Sequence, residues 1–477
     1  MTGGAAGMTA APPGWRRRWL VWLLAVAIVA EVCAGAAGVA YVRAAGHPGL
    51  LATALSDLPR VAARPATPEL RTAEDLASED LASEDRASED RASEVRRLLD
   101  YRAAALRKRD RAGWLAGLDP RAAAFRARQA AVFDALAAVP LASWQYRLDP
   151  SLERPLGAAA RRRYRAPVWT PAVTLRYALR RIDADPTERT LVLTFVQRGG
   201  RWYLAGDADV AADGTRSWRG LWDFGPVVAR RGRSSLVLAH PAHAAQLATF
   251  SKAVDEAVPS VTAVWGTGWQ RQVAVLLPDT QSEMAALVGE RFALARIAAV
   301  AIADHADTQT GTARGQRVVV NPANLNRLNP LGRQIVLRHE VTHIASRGVT
   351  SETMPTWLIE GFADYVGYTA SGLPPRVIAQ DLRAEVRAGT WSGALPADRD
   401  FRGDAPRLAL AYEAGWTACR LIATRVGTGG LVRFYRLVGA GGGDRKAALE
   451  GALSQVLHTG YAGFVAQWRS SVRAELG

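Results

Sequence analysis

Apolar residues form one continuous stretch near the N-terminus, Trp19–Val42, directly after three arginines at 16–18. A helix needs about 20 apolar residues to cross a bilayer, and flanking arginines favour the cytoplasmic side. We therefore predict a cytoplasmic tail over 1–18 and a single transmembrane signal-anchor helix over 19–42. The rest of the chain is then exported and held at the lipid bilayer of the cell membrane. A cleavable signal peptide is the alternative, with its cleavage site among the small residues at 34–37.

A five-residue repeat follows between Leu76 and Val95, with the sequence LASED, LASED, RASED, RASEV. A period of five advances by about 140° around a helix, so the first positions of the repeats never line one face. Such a segment builds no core. We predict that residues 43–95 form a solvated low-complexity spacer, either helical or disordered, with partner binding as the alternative.

Helical periodicity then appears in two segments, Leu98–Arg111 and Arg121–Leu141. Alternating apolar positions over Val173–Leu179 predict a strand, and Leu191–Asp207 reads as a hairpin turning at its Gly-Gly pair. Two helices followed by a curved antiparallel sheet resemble the NTF2-like family of cone-shaped α+β domains. The resemblance implies an NTF2-like domain over 96–210.

The predicted NTF2-like domain contains no evident pair of catalytic residues. The arginine cluster at 161–165 is typical of a solvated loop, with anion binding as the alternative. The glycine-containing segment 207–225 resembles a linker. Strand patterns at Leu236–Leu238 and Val273–Leu277 flank a helical stretch at Ala244–Val258, so a second α+β domain begins near residue 233.

The last segment, Leu408–Leu476, is helical in pattern and is interrupted by glycines at 427–430 and 439–443. It predicts a helical C-terminal lobe, so the second domain extends over 233–477. Cys419 within it is expected to be a small buried apolar residue.

Composition narrows the function classes. The chain has 49% hydrophobic and 22% charged residues, and its only cysteines are Cys33 and Cys419, which excludes a disulfide framework and a thiolate metal cluster. The net charge is +15, but arginines are scattered and residues 72–95 carry a local charge of −7. We therefore expect no nucleic-acid partner.

The motif HEVTH, residues 339–343, contains the candidate catalytic and metal-binding residues. Asn329 and Pro330 are typical of a helix start, and Gly348 of a helix end. Histidines four apart share one helical face, so His339 and His343 can bind one metal ion. Glu340 lies about 100° around the axis, where its carboxylate can reach a metal-bound water without being a ligand.

A second helix is predicted to begin at Pro355, in the sequence PTWLIEGFADYVGY. It carries Glu360, and two histidines with one glutamate form the open three-ligand set of a catalytic zinc. Asp364 lies one turn later on the same face, positioned to accept the free ring N–H of a ligand histidine.

HEVTH followed by WLIEGFADY resembles the gluzincin metallopeptidases, of the thermolysin and aminopeptidase type and especially their peptidase-MA-like branch. The metzincin pattern does not fit, because Ser346 stands at its glycine and Val349 at its third histidine. The resemblance implies an α+β zinc metallopeptidase acting on a peptide or protein. It also implies a substrate-pairing edge strand, for which Arg317–Pro322 is the candidate, with an ordinary sheet strand as the alternative.

In the mechanism that the resemblance implies, Glu340 is the general base and a tyrosine stabilises the oxyanion. Tyr412 is the candidate, with Tyr365 and Tyr368 as alternatives, and a core aromatic is the other interpretation of Tyr412. His305 and His458 are expected to be structural. No paired glutamates precede the histidine helix at Asn321–Asn326, which disfavours aminopeptidase action.

Two other functions stay open. One is a catalytically idle peptidase-like scaffold, and the other is a metal-dependent hydrolase of a bond other than a peptide bond. The second shares every named residue with the peptidase.

Overall fold

A computed structural model describes residues 73–289 and 297–477. Over these residues the protein is a mixed α+β structure with a helical C-terminal part. The predicted cytoplasmic tail and membrane helix, 1–42, lie outside the described residues. In the part that is described, no helix is both long and apolar enough to cross a bilayer.

The first described element is a 35-residue helix, α1 (Ala73–Arg107), which contains the five-residue repeats. Its final repeat is not solvated throughout. Ala92 and Val95 are buried, and the Arg91 guanidinium lies 4.5 Å from the centre of the Trp169 ring. The solvated spacer predicted up to Val95 therefore ends earlier, because α1 continues without a break into a folded unit.

This N-terminal unit, residues 73–225, contains two three-stranded antiparallel sheets ordered β1-β3-β4 and β2-β5-β6. Helix α1 packs against β1 and β6. The remaining elements are α2 (Arg111–Ala116), α3 (Ala123–Leu136), β1 (Leu141–Glu153), α4 (Ala158–Tyr164), β2 (Val168–Trp169), β3 (Pro171–Leu179), β4 (Thr187–Val192), β5 (Thr194–Arg198) and β6 (Arg201–Gly206). The predicted strand at Val173–Leu179 and the hairpin are confirmed, with Gly199 and Gly200 at φ 56° and 79° in the turn. The similarity to NTF2-like domains stays a prediction.

The segment 207–225, predicted as a linker, is instead part of this unit. Leu221 and Trp222 are buried within a short 3-10 helix. The Trp222 ring centre lies 5.8 Å from that of Trp144 and 5.6 Å from that of Tyr177. Glycines made the segment resemble a linker, but its large apolar side chains fill the core.

The C-terminal unit, residues 228–477, is built on a five-stranded sheet ordered β10-β13-β9-β8-β7. Strands β8, β9 and β13 run parallel, and the strands at both edges are antiparallel to them. The strands are β7 (Val228–Arg231), β8 (Ser235–Ala239), β9 (Val273–Leu277), β10 (Ala299–Ile302) and β13 (Arg317–Val320), and a separate hairpin pairs β11 (His305–Asp307) with β12 (Thr312–Arg314). The edge-strand prediction for Arg317–Pro322 is wrong, because β13 lies between β9 and β10. The edge strand is β10.

Helices pack on this sheet and form the C-terminal lobe. They are α5 (Leu247–Trp265), α6 (Gln281–Val288), α7 (Pro322–Leu325), α8 (Pro330–Ser346), α9 (Thr356–Tyr368), α10 (Pro375–Ile378), α11 (Gln380–Ala388), α12 (Leu408–Ala440), α13 (Arg445–Leu457) and α14 (Tyr461–Leu476). Helix α12 consists of two helical segments that meet at Gly427, where φ is 74° and ψ is 168°. Cys419 lies on α12 and is buried, as expected.

Buried charges join the two units. Arg317 of β13 bonds both oxygens of Asp183 at 2.7 Å, and the two side chains are 3% and 4% exposed. Asp304, just after β10, bonds the side chains of Thr187 and Arg189 on β4. The N-terminal unit therefore holds the end of the sheet that carries the edge strand.

Candidate active site

Helix α8 carries the two histidines. The Asn329 side chain accepts the Gly332 N–H at 2.7 Å, and Pro330 occupies the first helical position, so the helix begins where the sequence predicts. One turn separates His339 from His343, and their Nε2 atoms lie 2.9 Å apart. Both imidazoles are buried and face the same point.

Helix α9 supplies the third donor. Its first N–H, on Thr356, donates to the Asp398 carboxylate at 3.0 Å, which fixes the start of the helix. Glu360 Oε2 lies 3.2 Å from His339 Nε2 and 3.6 Å from His343 Nε2. The structure thus brings the three predicted ligands together, and their donor atoms all lie within 4.8 Å of one another.

Asp364 lies one turn after Glu360 and contacts the other side of the first imidazole. Its Oδ1 atom is 2.9 Å from His339 Nδ1, in a pair that is 2–3% exposed. With a proton on the ring nitrogen that faces Asp364, Nε2 is the nitrogen that can bind a metal. This is the position predicted for Asp364 from its spacing alone.

The cluster is strongly coupled in its metal-free form. Burial alone would lower the pKa of His339, but its bonds to Asp364 and Glu360 raise that pKa to about 9. Burial is likewise outweighed at His343, where Glu360 raises the pKa to about 9. Burial would raise the pKa of Glu360, yet the two histidines hold it down at about 2. The pocket therefore accommodates positive charge between these groups.

Glu340 lies beside the three donors without joining them. Burial raises the pKa of its carboxyl group, Glu360 adds to the rise, and the two histidines oppose it. Its Oε2 atom accepts the Ala301 N–H of the edge strand at 2.7 Å. The carboxylate is thereby held between the edge strand and the ligand cluster.

Tyr412 reaches the site because two helices approach unusually closely. A Cβ atom on Gly361 of α9 would lie 2.3 Å from the Gly415 carbonyl oxygen of α12, so only glycine fits there. This contact brings the buried Tyr412 ring to 6.4 Å from the His339 ring. Burial raises the pKa of Tyr412 well above its usual value, and a hydrogen bond to Glu360 contributes. The phenol is therefore a proton donor at neutral pH.

The other candidate tyrosines lie elsewhere. The Tyr365 hydroxyl is 3.0 Å from the Thr428 hydroxyl, and the Tyr368 ring packs on Trp416 with centres 6.1 Å apart. His305 and His458 are exposed and lie outside the cluster that the three donor residues form.

Two residues near the site were missed from the sequence. Arg347 follows α8 and donates to the Ala301 carbonyl of the edge strand at 2.9 Å. Burial lowers its pKa to about 10, while Tyr435 and Glu360 favour the charged form. The Tyr435 hydroxyl is 2.8 Å from the Thr350 hydroxyl. Neither residue has a spacing signal, since only tertiary packing brings it to the cluster.

No family model matches the chain, and no curated protein matches it either. Among solved structures, the chain is similar to an M1 zinc metallopeptidase from Deinococcus radiodurans, with 16% identity, coverage of 58% of each chain and a TM-score of 0.31. A mutant of that peptidase bound to a Tyr-Ser-Ala substrate gives 14% identity, 59% and 58% coverage and a TM-score of 0.32. A functionally unknown conserved protein from Bacillus anthracis gives 11% identity, 70% and 78% coverage and a TM-score of 0.31.

The chain spans about three fifths of the length of the M1 structures that it matches. At such low identities and TM-scores, these similarities assign no function to this chain.

Proposed function

We propose that this protein is a zinc-dependent peptidase of the gluzincin type, which hydrolyses peptide bonds. The observation that carries the proposal is the buried convergence of His339, His343 and Glu360, with Glu340 beside the three and outside their donor set. Asp364 orients the first histidine, so each residue predicted from the motif has a position that suits its role.

The donor set suits zinc. Ligand bonds of about 2.1 Å in a tetrahedron place neighbouring donor atoms about 3.4 Å apart. The three separations are 2.9, 3.2 and 3.6 Å, close to that spacing. Two imidazoles and one carboxylate, without a fourth protein donor in the described cluster, correspond to a catalytic zinc site and not to a closed structural one.

When bound, zinc lowers the pKa of a coordinated water towards about 7 and polarises the carbonyl of the scissile bond. Glu340 is the general base that accepts the proton of the attacking water and passes it to the leaving amine. Its raised pKa makes the carboxylate a better proton acceptor than a solvated glutamate. Tyr412 donates its hydroxyl hydrogen to the oxyanion that develops on the former carbonyl oxygen.

We place the peptide substrate along the outward side of β10. Ala301 directs its N–H to Glu340 and its carbonyl to Arg347, so this side of the strand borders the catalytic cluster. An extended peptide that adds to this edge would run past Glu340. The substrate-pairing role that the resemblance implies then belongs to Ala299–Ile302 and not to Arg317–Pro322.

We further propose that the peptidase is exported and remains at the cell membrane through residues 19–42. The support is the length of the apolar stretch and the arginines before it. A bilayer is then its lipid partner, a peptide or protein its substrate, and nucleic acid is not a partner.

The proposal is tested by metal content and cleavage together. Purified wild type should hold about one equivalent of zinc and cleave members of a mixed quenched-fluorescent peptide library. His343→Ala should lose the metal, whereas Glu340→Gln should keep it and lose cleavage. Zinc below about half an equivalent, unchanged in His343→Ala, contradicts the metal assignment. A zinc-loaded wild type that cleaves no peptide contradicts the peptidase.

A further inference from the structure

The N-terminal unit makes a polar contact with the chain just after the edge strand β10. The contact residue is Asp304, whose side chain is 3% exposed. Its carboxylate accepts the hydroxyl hydrogen of Thr187 and forms an ion pair with Arg189, both on strand β4 of the N-terminal unit. Across the described residues, Arg189 is the only cation within ion-pair distance of this carboxylate. The buried charge of Asp304 is therefore compensated from the other unit.

The corner at which these residues meet is tightly packed. Thr187 is 1% exposed, and the Asp304 N–H donates to the Arg314 carbonyl of β12 at 2.9 Å. A Cβ atom on Gly315, where φ is 64°, would collide with both the Asp304 carboxylate and the Thr187 hydroxyl. Asp304 is thus held between strand β4 and the chain around Gly315.

Asp304 follows Ala301 by three residues, and Ala301 borders the catalytic cluster. The Ala301 N–H donates to Glu340 at 2.7 Å, and its carbonyl accepts from Arg347 at 2.9 Å. Strand β10 has only four residues and pairs with β13 on one side. A short strand with one neighbour has few main-chain bonds, so a fixed point at its end has a large effect on its position.

We propose that the N-terminal unit positions the substrate-pairing strand β10, with Arg189 as the positioning residue that acts through Asp304. The inference rests on the proposed function, in which an extended peptide adds to the outward edge of β10. An added strand forms its main-chain bonds only at a spacing of about 4.8 Å from that edge. The ion pair fixes the end of the edge strand for this pairing. The N-terminal unit thereby contributes to substrate affinity, although the catalytic residues lie in the C-terminal unit.

Steady-state kinetics of the full chain on a cleaved peptide test this role. Arg189→Met removes the charge and keeps an apolar side chain near the Trp218 ring, whose centre lies 5.0 Å from the guanidinium carbon. KM should rise about tenfold, which corresponds to losing one or two main-chain hydrogen bonds to the substrate. Because the zinc ligands lie on α8 and α9 and not on β10, kcat should change by less than about threefold. Arg189→Lys keeps the charge and should recover most of the lost affinity.

The partner residue tests the same contact from the other unit. Asp304→Asn should also raise KM, and it serves even if Arg189→Met does not fold. The variant with both changes should have a KM within about twofold of the worse single variant, because each change removes the same ion pair. The matched control combines Arg317→Met with Asp183→Leu, which removes another ion pair between the units, on β13. Its KM should stay within about twofold of wild type.

Hydrogen exchange reports on the strand without relying on catalysis. In Arg189→Met, the amides of residues 299–304 should exchange at least about tenfold faster than in wild type, while those of β8 and β9 keep their rates. Unchanged exchange at 299–304 in a folded variant overturns the positioning of β10. A fall in kcat at unchanged KM, or effects that add in the double variant, overturn the role of Arg189 in substrate affinity. If wild type cleaves no peptide, the proposed function fails, and the exchange rates still decide whether Arg189 holds β10.

Discussion

Replacing Asp364 tests how the ligand histidine is positioned. The carboxylate lies 2.9 Å from His339 Nδ1, and both side chains are 2–3% exposed. In Asp364→Ala the imidazole loses the acceptor that orients its ring and keeps the proton on Nδ1 when Nε2 binds the metal. In Asp364→Asn the amide oxygen still accepts the ring N–H, but the negative charge is gone.

The magnitude follows from the geometry. Outer partners of metal-ligating histidines contribute about 10- to 100-fold in metal affinity, which corresponds to about 1.4–2.8 kcal/mol. A buried hydrogen bond to a charged group has a similar value, about 1.5–3 kcal/mol. We expect zinc affinity to fall about 100-fold in Asp364→Ala and about 10-fold in Asp364→Asn.

Competition with a chromophoric zinc chelator at one fixed pH measures both constants. Asp398→Ala is the matched control, since Asp398 accepts the Thr356 N–H at the start of the same helix and lies outside the ligand cluster. It should cost about 1 kcal/mol of stability and leave zinc affinity within about twofold of wild type. An Asp364→Ala protein that also binds zinc within about twofold of wild type refutes the positioning role.

Three further outcomes are expected. Tyr412→Phe should keep its zinc and lose about 10²- to 10³-fold in kcat, while Tyr365→Phe, whose hydroxyl bonds Thr428, should cleave as wild type does; equal rates in both would remove Tyr412 from the mechanism. Arg317→Met should lower the free energy of unfolding by about 3–5 kcal/mol by leaving Asp183 buried and unpaired, and Arg317→Met with Asp183→Leu should recover most of it in urea titrations. Burial raises the pKa of Glu413 to about 8, so the folded state binds its proton more tightly than the unfolded chain does. This group should therefore lower the free energy of unfolding as the pH rises from about 4.5 to 8. Glu413→Gln should become more stable relative to wild type across that interval. Parallel plots of unfolding free energy against pH for the two proteins would exclude the shift.

Local signals were sufficient for much of the site. The spacing within HEVTH and the caps at Asn329 and Pro355 are properties of a single helix, and such properties are readable without tertiary structure. Asp364 also follows from helical spacing. Tyr412 was placed by resemblance, and its approach to the cluster depends on a glycine contact between two helices.

Features that depend on distant pairing were not readable. Whether β13 or β10 forms the sheet edge depends on which of them pairs with β9. Both strands are short apolar runs, so the sequence does not distinguish them. The segment 207–225 looked like a linker because its glycines were visible while the partners of Trp222 were not.

In helix α1, the number of residues determines both the length of the helix and the side of the helix on which it begins. Its repeats lie on one helix that ends packed against β1 and β6. Each five-residue repeat adds about 7.5 Å of rise and about 140° of rotation. Removing one repeat would thus shorten the helix by little more than a turn, yet swing whatever precedes Ala73 to another side of the molecule. Removing eighteen residues would shorten it by about 27 Å and restore the original bearing. The number of repeats therefore determines the angular position around the helix axis at which the chain enters α1, as well as its distance from the folded unit.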